Sequence, residues 1–341
     1  MFYVEASGTP YEIGRQLGEQ TKLAIANSLD MLAARFRHWD DRQFREARER
    51  HMAYTERRLP ELVEETQGIA DGSGVEFRWI YLANFYASMR FALEGCSNLI
   101  FTGSADGPIL ARTCDLPRAE GKHAGLALVR PEGGPAVLAT YWPGTTWRGS
   151  GINEAGLAVG GSSCSAAVPM PEESMNPHAL PTWVLSRAES VADAIALLES
   201  VDAQPWGANH ALVDGGGDAA IVEKAGAYQA LRRSDGGRLW CTNHALTAEL
   251  ARFAIEDPER RAESTARFAA IERLSAEGAP GAELARSVLA YTGRPGALSR
   301  YGDDDPRGNE TAWAFIARPG AGELQACFSH PDRDPWHSFG L

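Results

Sequence analysis

The sequence predicts an α+β protein in four layers, an α/β/β/α sandwich in which two antiparallel sheets stack and helices cover both outer faces. From residue 96 onward, short runs follow in the order strands, helices, strands, helices, strands. A doubly wound parallel sheet would require strict alternation of strand and helix, which this order lacks. The character of the chain changes most sharply at 95/96, so we expect a helical N-terminal segment, 1–95, and a sandwich domain, 96–341.

The N-terminal segment contains three helix-favouring stretches. In "PYEIGRQLGEQTKLAIANSLDMLAARFRHW" apolar residues recur at helical spacing. The charged stretch after it breaks at Pro60 and stops across Gly68–Gly74, and "RWIYLANFYASMRFAL" is aromatic and apolar. We therefore expect helices across residues 10–94. The apolar positions of the first stretch are Ile13, Leu17, Leu23, Ile25, Leu29, Leu32 and Phe36.

Six strand-like runs follow the boundary, separated by turn residues. The turns "SADGP", "PEGGP" and "NEAG" combine the Gly, Pro, Asn and Asp residues that tight turns favour. The expected strands cover residues 97–102, 108–113, 125–130, 135–141, 146–152 and 156–162.

A helical pair comes next. One helix begins near Pro181, and the other begins at Ser190, an N-cap with Asp193 three residues on. Two more helices are expected in "STARFAAIERLSAEG" and "GAELARSVLAYTG", and the chain closes with a hairpin around Pro319–Gly322. Between the helical pairs we expect strands over residues 209–214, 219–224, 227–232 and 238–242.

Composition and charge are those of an ordinary globular protein of 341 residues. Hydrophobic residues make up 44% and charged residues 23%, which suffices for a packed core. The net charge of −12 comes without the basic stripe that nucleic-acid phosphates require. No apolar run approaches the roughly 20 residues of a membrane span, and the start lacks the pattern of a secretory signal. We therefore expect a cytoplasmic protein without nucleic-acid or membrane partners.

The five cysteines are an odd number, widely spaced and without a CxxC pair. This pattern argues against a disulfide framework and against a structural zinc site. His330 and His337 in "HPDRDPWH" are interpreted as tail residues rather than metal ligands. We expect neither a metal nor an organic cofactor. Four cysteines are expected to be small buried residues, and these are Cys114, Cys164, Cys241 and Cys327.

The stretch "GCSNLIFTGSADGPILARTCDLP", residues 95–117, reads as a β-hairpin. A two-residue type I′ turn at Asp106-Gly107 would set Asn98 opposite Asp115 and Cys96 opposite Pro117. A longer loop shifts this register by a residue or two. In either case the hairpin brings Asp115 within one or two positions of Cys96.

Arg112 is harder to place beside Cys96 than Asp115 is. Residues three apart on an ideal strand point to opposite faces of the sheet. Arg112 and Asp115 therefore both reach Cys96 only if a bulge or a strand end intervenes.

Cys96 is a candidate nucleophile, because nearby positive charge lowers the pKa of a thiol from its usual value near ~8.5. It also needs a base, and no histidine lies close in sequence. Cleavage of the 95–96 bond would supply one, since the α-amine of an N-terminal Cys96, with a pKa near ~7.7–8.0, can take the thiol proton. Gly95 lacks a Cβ and so lets the thiol approach its carbonyl group. The alternative interpretation is a Gly-Cys step that simply enters a buried strand.

Two asparagines and an arginine elsewhere in the chain are further candidates. Asn153 lies in a turn in "GINEAGLAVGG", and Asn243 ends a strand in "WCTNHAL". A side-chain amide can donate to a developing oxyanion, which is worth ~3 kcal/mol. Turn or cap asparagines are the alternative interpretation. Arg300 in "GALSRYGDDD", taken alone, reads as a solvated surface arginine.

Together, these motifs resemble a known group of enzymes. The hairpin, then "GINEAGLAV", then "CTNHAL" stand in the order seen in N-terminal-nucleophile (Ntn) cysteine hydrolases. Within that group the sequence most resembles the acyl-coenzyme A:6-aminopenicillanic acid acyltransferase (isopenicillin N acyltransferase) family. It is more distantly similar to choloylglycine hydrolases and penicillin V acylases. "GTPYEIGRQLG", residues 8–18, and the long segment before the cysteine also resemble the acyltransferase family.

The resemblance implies an Ntn-hydrolase sandwich that cuts its own chain between Gly95 and Cys96. Cys96 would be the nucleophile in self-cleavage and in turnover, and its freed amine would be the base. Asp115 and Arg112 would orient and charge-tune the amine and the thiol.

The resemblance also implies roles for three residues farther along the chain. Asn243 would contribute to the oxyanion hole, with Asn153 nearby, and Arg300 would supply a charged active-site residue. One departure is Leu116-Pro117, where the family often has an aromatic residue.

The expected activity is hydrolysis of a linear amide bond in a small N-acyl compound, through an acyl-enzyme on Cys96. The fragments 1–95 and 96–341 would stay associated, and further homo-oligomerisation stays open. Three alternatives remain. They are an acyl-CoA-dependent N-acyltransferase, a hydrolase with an intact chain that uses His244 or His210 as base, and a non-catalytic binding protein that retains the fold.

Overall fold

A computed structural model describes residues 2–27, 38, 40–90, 95–118, 124–234, 236–305 and 307–341. The predicted helical positions Leu29, Leu32 and Phe36, and the end of the third helical stretch at 91–94, lie outside the described residues. The helices are α1 (Pro10–Gln20), α2 (Asp41–His51), α3 (Ala53–Arg58), α4 (Glu61–Ser73), α5 (Phe77–Arg90), α6 (Ala179–Arg187), α7 (Val191–Glu199), α8 (Ala248–Ala251), α9 (Pro258–Ser275) and α10 (Ala282–Leu289).

The strands are β1 (Tyr3–Gly8), β2 (Gly95–Phe101), β3 (Ile109–Pro117), β4 (Gly125–Pro131), β5 (Val137–Tyr141), β6 (Arg148–Asn153), β7 (Leu157–Ala167), β8 (Trp206–Asp214), β9 (Ala219–Ala225), β10 (Tyr228–Arg233), β11 (Arg238–Cys241), β12 (Asn309–Arg318), β13 (Glu323–Cys327) and β14 (His337–Gly340). They form a large sheet in the order β1-β4-β5-β6-β7-β8-β9-β10 and a small sheet in the order β11-β2-β3-β12-β13-β14. Among these described strands, every neighbouring pair is antiparallel except β1 with β4.

The two sheets stack, and helices cover their outer faces. Side chains such as Ile100 and Phe315 of the small sheet meet Leu138 of the large sheet in a shared core. The opposite face of the large sheet packs against α6 and α7, and the opposite face of the small sheet packs against α9 and α10. The predicted four-layer α/β/β/α class is therefore confirmed.

The N-terminal segment differs from the predicted run of helices because it begins with a strand. β1 pairs in parallel with β4 from Tyr3 to Gly8. Its residues alternate in burial, with Val4 and Ala6 inside and Glu5 exposed, which is the period-2 pattern of a half-buried strand. The sequence therefore contained the signal for this strand.

The helices of the N-terminal segment are also packed into the sandwich. α1 and α4 approach so closely that a Cβ on Gly14 would lie 2.0 Å from the Glu65 carbonyl oxygen. The Glu65 carboxylate forms two hydrogen bonds of 2.7 Å with the Arg148 guanidinium on β6, and both side chains are buried. The segment before residue 95 thus contributes a strand, a packed helix pair and a buried ion pair to the fold.

The hairpin of β2 and β3 has a different register from the type I′ prediction. Gly95 pairs with Asp115, Cys96 with Cys114 and Asn98 with Arg112. The predicted pairing of Asn98 with Asp115 is wrong because the connection spans residues 102–108, a longer loop than a two-residue turn. The expectation that Asp115 lies within one or two positions of Cys96 is confirmed.

The C-terminal histidines belong to ordered structure rather than to a tail. His337 begins the edge strand β14, which pairs with β13. His330 is buried and stacks on Tyr301 with ring centroids 4.1 Å apart. All five cysteines are buried and free, as a set of small core residues should be. Among the residues described, no helix is both long and apolar enough to cross a membrane.

Candidate active site

Gly95 and Cys96 open β2, an inner strand of the small sheet, between β11 and β3. Both residues are buried. A Cβ on Gly95 would lie 2.9 Å from Nη1 of Arg300 and 3.2 Å from Oδ2 of Asp115. The residue before Cys96 therefore has to be small, because two charged side chains meet its α-carbon.

The Cys96 thiol faces the space between the sheets, where two groups on β3 contact it. Nη2 of Arg112 lies 3.1 Å from Sγ, and Sγ of Cys114 lies 3.9 Å away. Arg112 is held by a hydrogen bond to Ser150 and by stacking over Trp313, 4.6 Å from the ring centroid. The Cys114 hydrogen bond and the Arg112 charge outweigh burial and lower the pKa of the Cys96 thiol to about 6. Arg112 and Cys114 therefore stabilise the thiolate form of Cys96.

Replacing Arg112 with methionine should raise the pKa of the Cys96 thiol, because the favourable charge disappears while burial still penalises the thiolate. The thiolate absorbance of wild type minus that of Cys96→Ala should titrate near pH 6, and that of Arg112→Met at least about one pH unit higher. Arg112→Lys keeps the positive charge, so its titration midpoint should lie between those of wild type and Arg112→Met. A midpoint that stays near 6 in Arg112→Met would show that this guanidinium does not stabilise the thiolate.

The backbone of Cys96 is held by Asn243 and Arg267. The Cys96 N–H donates to Oδ1 of Asn243 at 2.9 Å, and its carbonyl oxygen accepts from Nη1 of Arg267 at 2.7 Å. Nη2 of Arg267 donates to the same Asn243 oxygen at 2.7 Å. The three residues form a closed hydrogen-bonded ring around the start of β2.

Arg267 was not predicted from the sequence. Arg267 lies on the buried face of α9, together with Ser264, Ala270 and Ile271, which recur at helical spacing. An arginine at helical spacing from Ala270 and Ile271 is the signal that could have drawn attention to it, because a buried charge requires partners.

Asn243 is brought to Cys96, as predicted, but with its oxygen rather than its amide nitrogen. Both amide hydrogens are used, since Nδ2 donates to the carbonyl oxygen and to Oγ of Ser163, each at 2.9 Å. In this arrangement Asn243 accepts from the Cys96 nitrogen and is not free to donate to an oxyanion.

Asp115 lies on the face of the small sheet opposite to the thiol, beside Gly95. Its Oδ1 accepts from Oγ1 of Thr311 at 2.8 Å, and its Oδ2 lies 3.2 Å from Nη1 of Arg300. The alternation rule thus holds, since Arg112 contacts the thiol and Asp115 flanks the preceding residue. A bulge exists, but on β12, where the pairing with β3 shifts after Thr311.

Arg300 is not a solvated surface arginine, because only 5% of its surface is exposed. Besides Asp115 it forms ion pairs with Asp305 and with Glu263. The resemblance indicated the position of Arg300 near Cys96, which the residues around it in sequence did not.

The structure does not bring Asn153 to Cys96, so the predicted position of Asn153 near the oxyanion hole is wrong. Its Nδ2 donates to the carbonyl oxygens of Leu185 and Ala188, at 2.9 and 2.7 Å, at the C-terminal end of α6. It pairs with Val137, which packs under α6 on the outer face of the large sheet. Asn153 therefore ties a helix to the sheet.

Neither candidate histidine hydrogen-bonds to Cys96 in the described structure. Nδ1 of His244 contacts the hydroxyl oxygens of Thr242 and Ser264. His210 lies on the large sheet. Burial, with smaller contributions from neighbouring cations, lowers the pKa of each imidazole to about 4. Both rings are thus neutral near pH 7.

A cavity of about 100 Å³ begins beside Arg112 and Cys114, the two side chains that contact the Cys96 thiol. Most of its exposed wall is apolar, and polar side chains such as Arg112, Ser150, Asn209 and His210 also line it, a mixture typical of a small-molecule site. The lining also includes Trp142, Trp147 and Trp313 as well as Pro181 of α6.

Two stacked, mainly antiparallel sheets between helical layers are the architecture of the Ntn-hydrolase fold class, and here a Gly-Cys step opens an inner strand. Residues 102–333 match the profile of the family described as acyl-coenzyme A:6-aminopenicillanic acid acyl-transferase. The match spans more than half of the sequence, and the chain belongs to this family.

Several solved structures are similar to this chain. An N-acylethanolamine-hydrolyzing acid amidase ortholog from Caenorhabditis elegans is 11% identical, with a TM-score of 0.49, over 66% of this chain and 93% of that one. Penicillin V acylase from Agrobacterium tumefaciens is 15% identical, with a TM-score of 0.44, over 72% of this chain and 86% of that one. A mutant of the conjugated bile acid hydrolase from Clostridium perfringens is 13% identical, with a TM-score of 0.42, over 72% and 97%.

Proposed function

We propose that this chain is a self-processing cysteine amidohydrolase that cleaves the linear C–N bond of a small N-acyl compound. One observation carries the proposal. A buried thiol, 3.1 Å from the Arg112 guanidinium, directly follows a glycine, and its own backbone nitrogen is held by Asn243 at 2.9 Å. A nucleophile and its future base are thus fixed on one residue.

In the first stage the Cys96 thiolate attacks the Gly95 carbonyl carbon. The Gly95–Cys96 C–N bond breaks, the nitrogen takes up a proton, and a thioester joins Gly95 to the Cys96 sulfur. Water hydrolyses this thioester, which leaves a carboxylate on Gly95, a free thiol and an α-amine on Cys96. Asp115 and Arg300, which flank Gly95, stay beside the new chain end.

The fragments 1–95 and 96–341 are proposed to remain together as a heterodimer. β1 is paired with β4 along its whole length, and the buried ion pair of Glu65 with Arg148 joins the two fragments. Separation would expose a sheet edge and leave Arg148 buried without its partner, which is costly.

In the second stage the amine is the base. An α-amine has a pKa near ~7.7–8.0, so roughly 10–17% of it is unprotonated at pH 7 and can act as a base. Asn243 Oδ1 accepts one of its N–H groups and orients its lone pair towards the thiol, while Arg267 holds Asn243 in place. The amine takes the thiol proton, the sulfur attacks the substrate carbonyl carbon, the substrate C–N bond breaks, and the ammonium returns that proton to the leaving amine. Water then attacks the thioester carbon, the C–S bond breaks, and the free acid and the thiol are released.

The surroundings of His244 and His210 favour the α-amine of Cys96 as the base over either histidine. His244 is engaged with Thr242 and Ser264, and His210 pairs with Gly161 on the large sheet. The low pKa of both rings makes each a weak proton acceptor.

The test is a panel of N-acyl amines and acyl-CoA thioesters given to the purified protein. We expect free acid and free amine from an N-acyl amine without any added CoA. We favour hydrolysis over transfer because transfer needs a pocket that excludes water and holds an acceptor. Consumption of acyl-CoA with an amine acceptor, and no amide hydrolysis, would establish the transferase alternative. Turnover of neither class would favour the binding-protein alternative.

A further inference from the structure

The cavity beside the thiol passes through the large sheet between β6 and β7. These two strands pair only at Gly151 with Val159 and at Ile152 with Ala158. Beyond that point Oγ of Ser150 accepts from the Gly161 N–H at 3.2 Å, in place of a backbone pairing. A side chain therefore bridges the strands where the sheet opens.

The lining residues come from both faces of the sheet. Arg112 and Trp313 belong to the space between the sheets, and Pro181 belongs to α6 on the outer face. His210 lies on that outer face, since it pairs with Val222, which packs in the core under α6 and α7. The cavity thus runs from the thiol side of the sheet to His210.

A short series of contacts connects the two ends. Arg112 contacts the Cys96 sulfur at one end and Ser150 at the other. Ser150 bonds the Gly161 N–H, and Gly161 pairs directly with His210 on β8. An acyl group attached to Cys96 that follows this series of contacts would pass Arg112 and Ser150 before it approaches His210.

His210 is a buried polar group whose ring nitrogens make no hydrogen bond with the residues that the structure describes. It is 2% exposed, and neither Nδ1 nor Nε2 has a partner among those residues. Burial, and then the Lys224 charge, lowers the pKa of the ring to about 4, so it offers one donor and one acceptor near pH 7. Lys224 does not line the cavity. Leaving such a group unpaired is costly, and a ligand with a matching polar atom recovers that cost.

The volume of the cavity and its lining residues limit the size and polarity of the rest of the ligand. The cavity holds about 100 Å³, whereas an apolar protein cavity of about 150 Å³ holds benzene. Its walls include three indole rings, Trp142, Trp147 and Trp313, which favour an apolar stem. A long hydrocarbon chain or a polycyclic group does not fit this space.

We infer that the cavity takes a short acyl group ending in a neutral hydrogen-bonding atom, a hydroxyl or a carbonyl oxygen, and that His210 selects it. This inference rests on the proposed function and adds the class of acyl group. A site that hydrogen-bonds a substrate hydroxyl rejects the analogue without it strongly, because its own polar groups are then left unpaired.

The experiment compares amides of one fluorogenic amine, the N-butanoyl and the N-(3-hydroxybutanoyl) compounds, with wild type. We expect kcat/KM for the hydroxylated amide to exceed that for the butanoyl amide by at least about tenfold. His210→Phe removes both ring nitrogens and should bring this ratio close to one. His210→Gln keeps a donor and an acceptor and should retain part of it. His330→Phe, a matched histidine that stacks on Tyr301 outside the cavity, should keep the wild-type ratio.

A wild-type ratio near one, or an unchanged ratio in both His210 variants, would overturn the inference. Preference for the succinyl amide would also overturn it, because that acyl group ends in a charge. If His210→Phe does not fold, the wild-type ratio and His210→Gln decide. Hydrolysis of the butanoyl amide without preference defeats only this inference, whereas hydrolysis of no amide at all defeats the proposed function.

Discussion

Replacing Cys96 with alanine should yield a chain that stays intact and hydrolyses no amide, a loss of at least about 10⁴-fold in kcat/KM. The sulfur is the attacking atom in both proposed stages, so no other side chain can stand in for it. The substitution removes one sulfur atom from the core between the sheets and adds no bulk or charge, so the fold should survive. Intact mass, near-ultraviolet circular dichroism and amide turnover together measure the outcome.

The matched control is Cys327→Ala. Cys327 is also buried and free, and burial raises the pKa of its thiol to about 11. Its loss should leave cleavage and turnover within about twofold of wild type, since core changes away from the site act mainly on stability. Amide turnover by folded Cys96→Ala protein would place the chemistry elsewhere.

Replacing Asn243 with alanine should slow self-cleavage and lower kcat/KM by at least about 100-fold, within the range attributed to a positioned proton acceptor. The Asn243 oxygen is the only side-chain acceptor described for the Cys96 nitrogen. Without it the amine loses its orientation, and Arg267 loses a partner as well. Rates of fragment appearance and steady-state kinetics measure the effect.

The chain offers a matched control in Asn153→Ala. Asn153 is equally buried, but its side-chain amide donates hydrogen bonds to carbonyl oxygens at the end of α6 and not to Cys96. We expect a lower melting temperature and a kcat/KM close to that of wild type for the folded fraction. Equal kinetic losses in the two variants would mean that Asn243 acts only through stability.

Much of the fold was predictable because its elements are specified locally. The expected strands of the first group fall within a few residues of β2 to β7, and Ser190 caps α7 by accepting from the Asp193 N–H. β1 was missed although it alternates, since a single short strand at the start of a helical segment has no sequence neighbour to pair with. Its partner β4 lies more than 100 residues along the chain.

In the candidate site, too, the residues placed by local structure were predictable and those placed by long-range packing were not. The proximity of Asp115 to Cys96 follows from one hairpin, which local turn chemistry forms. The positions of Arg267 and Arg300 depend on how α9 and the loop before β12 dock on the small sheet, and nothing local specifies that. Cys114 was expected to be only a core residue, and its contact with Cys96 depends on the register, which the loop length shifted.

The central claim is that Cys96 acquires a free α-amine when the bond before it breaks, and intact-mass measurement of active wild-type protein tests it most directly. The account predicts two masses, those of residues 1–95 and 96–341, which copurify and together carry the amide hydrolase activity. A single mass for the uncut 341-residue chain, in material that hydrolyses amides after prolonged incubation, would contradict it.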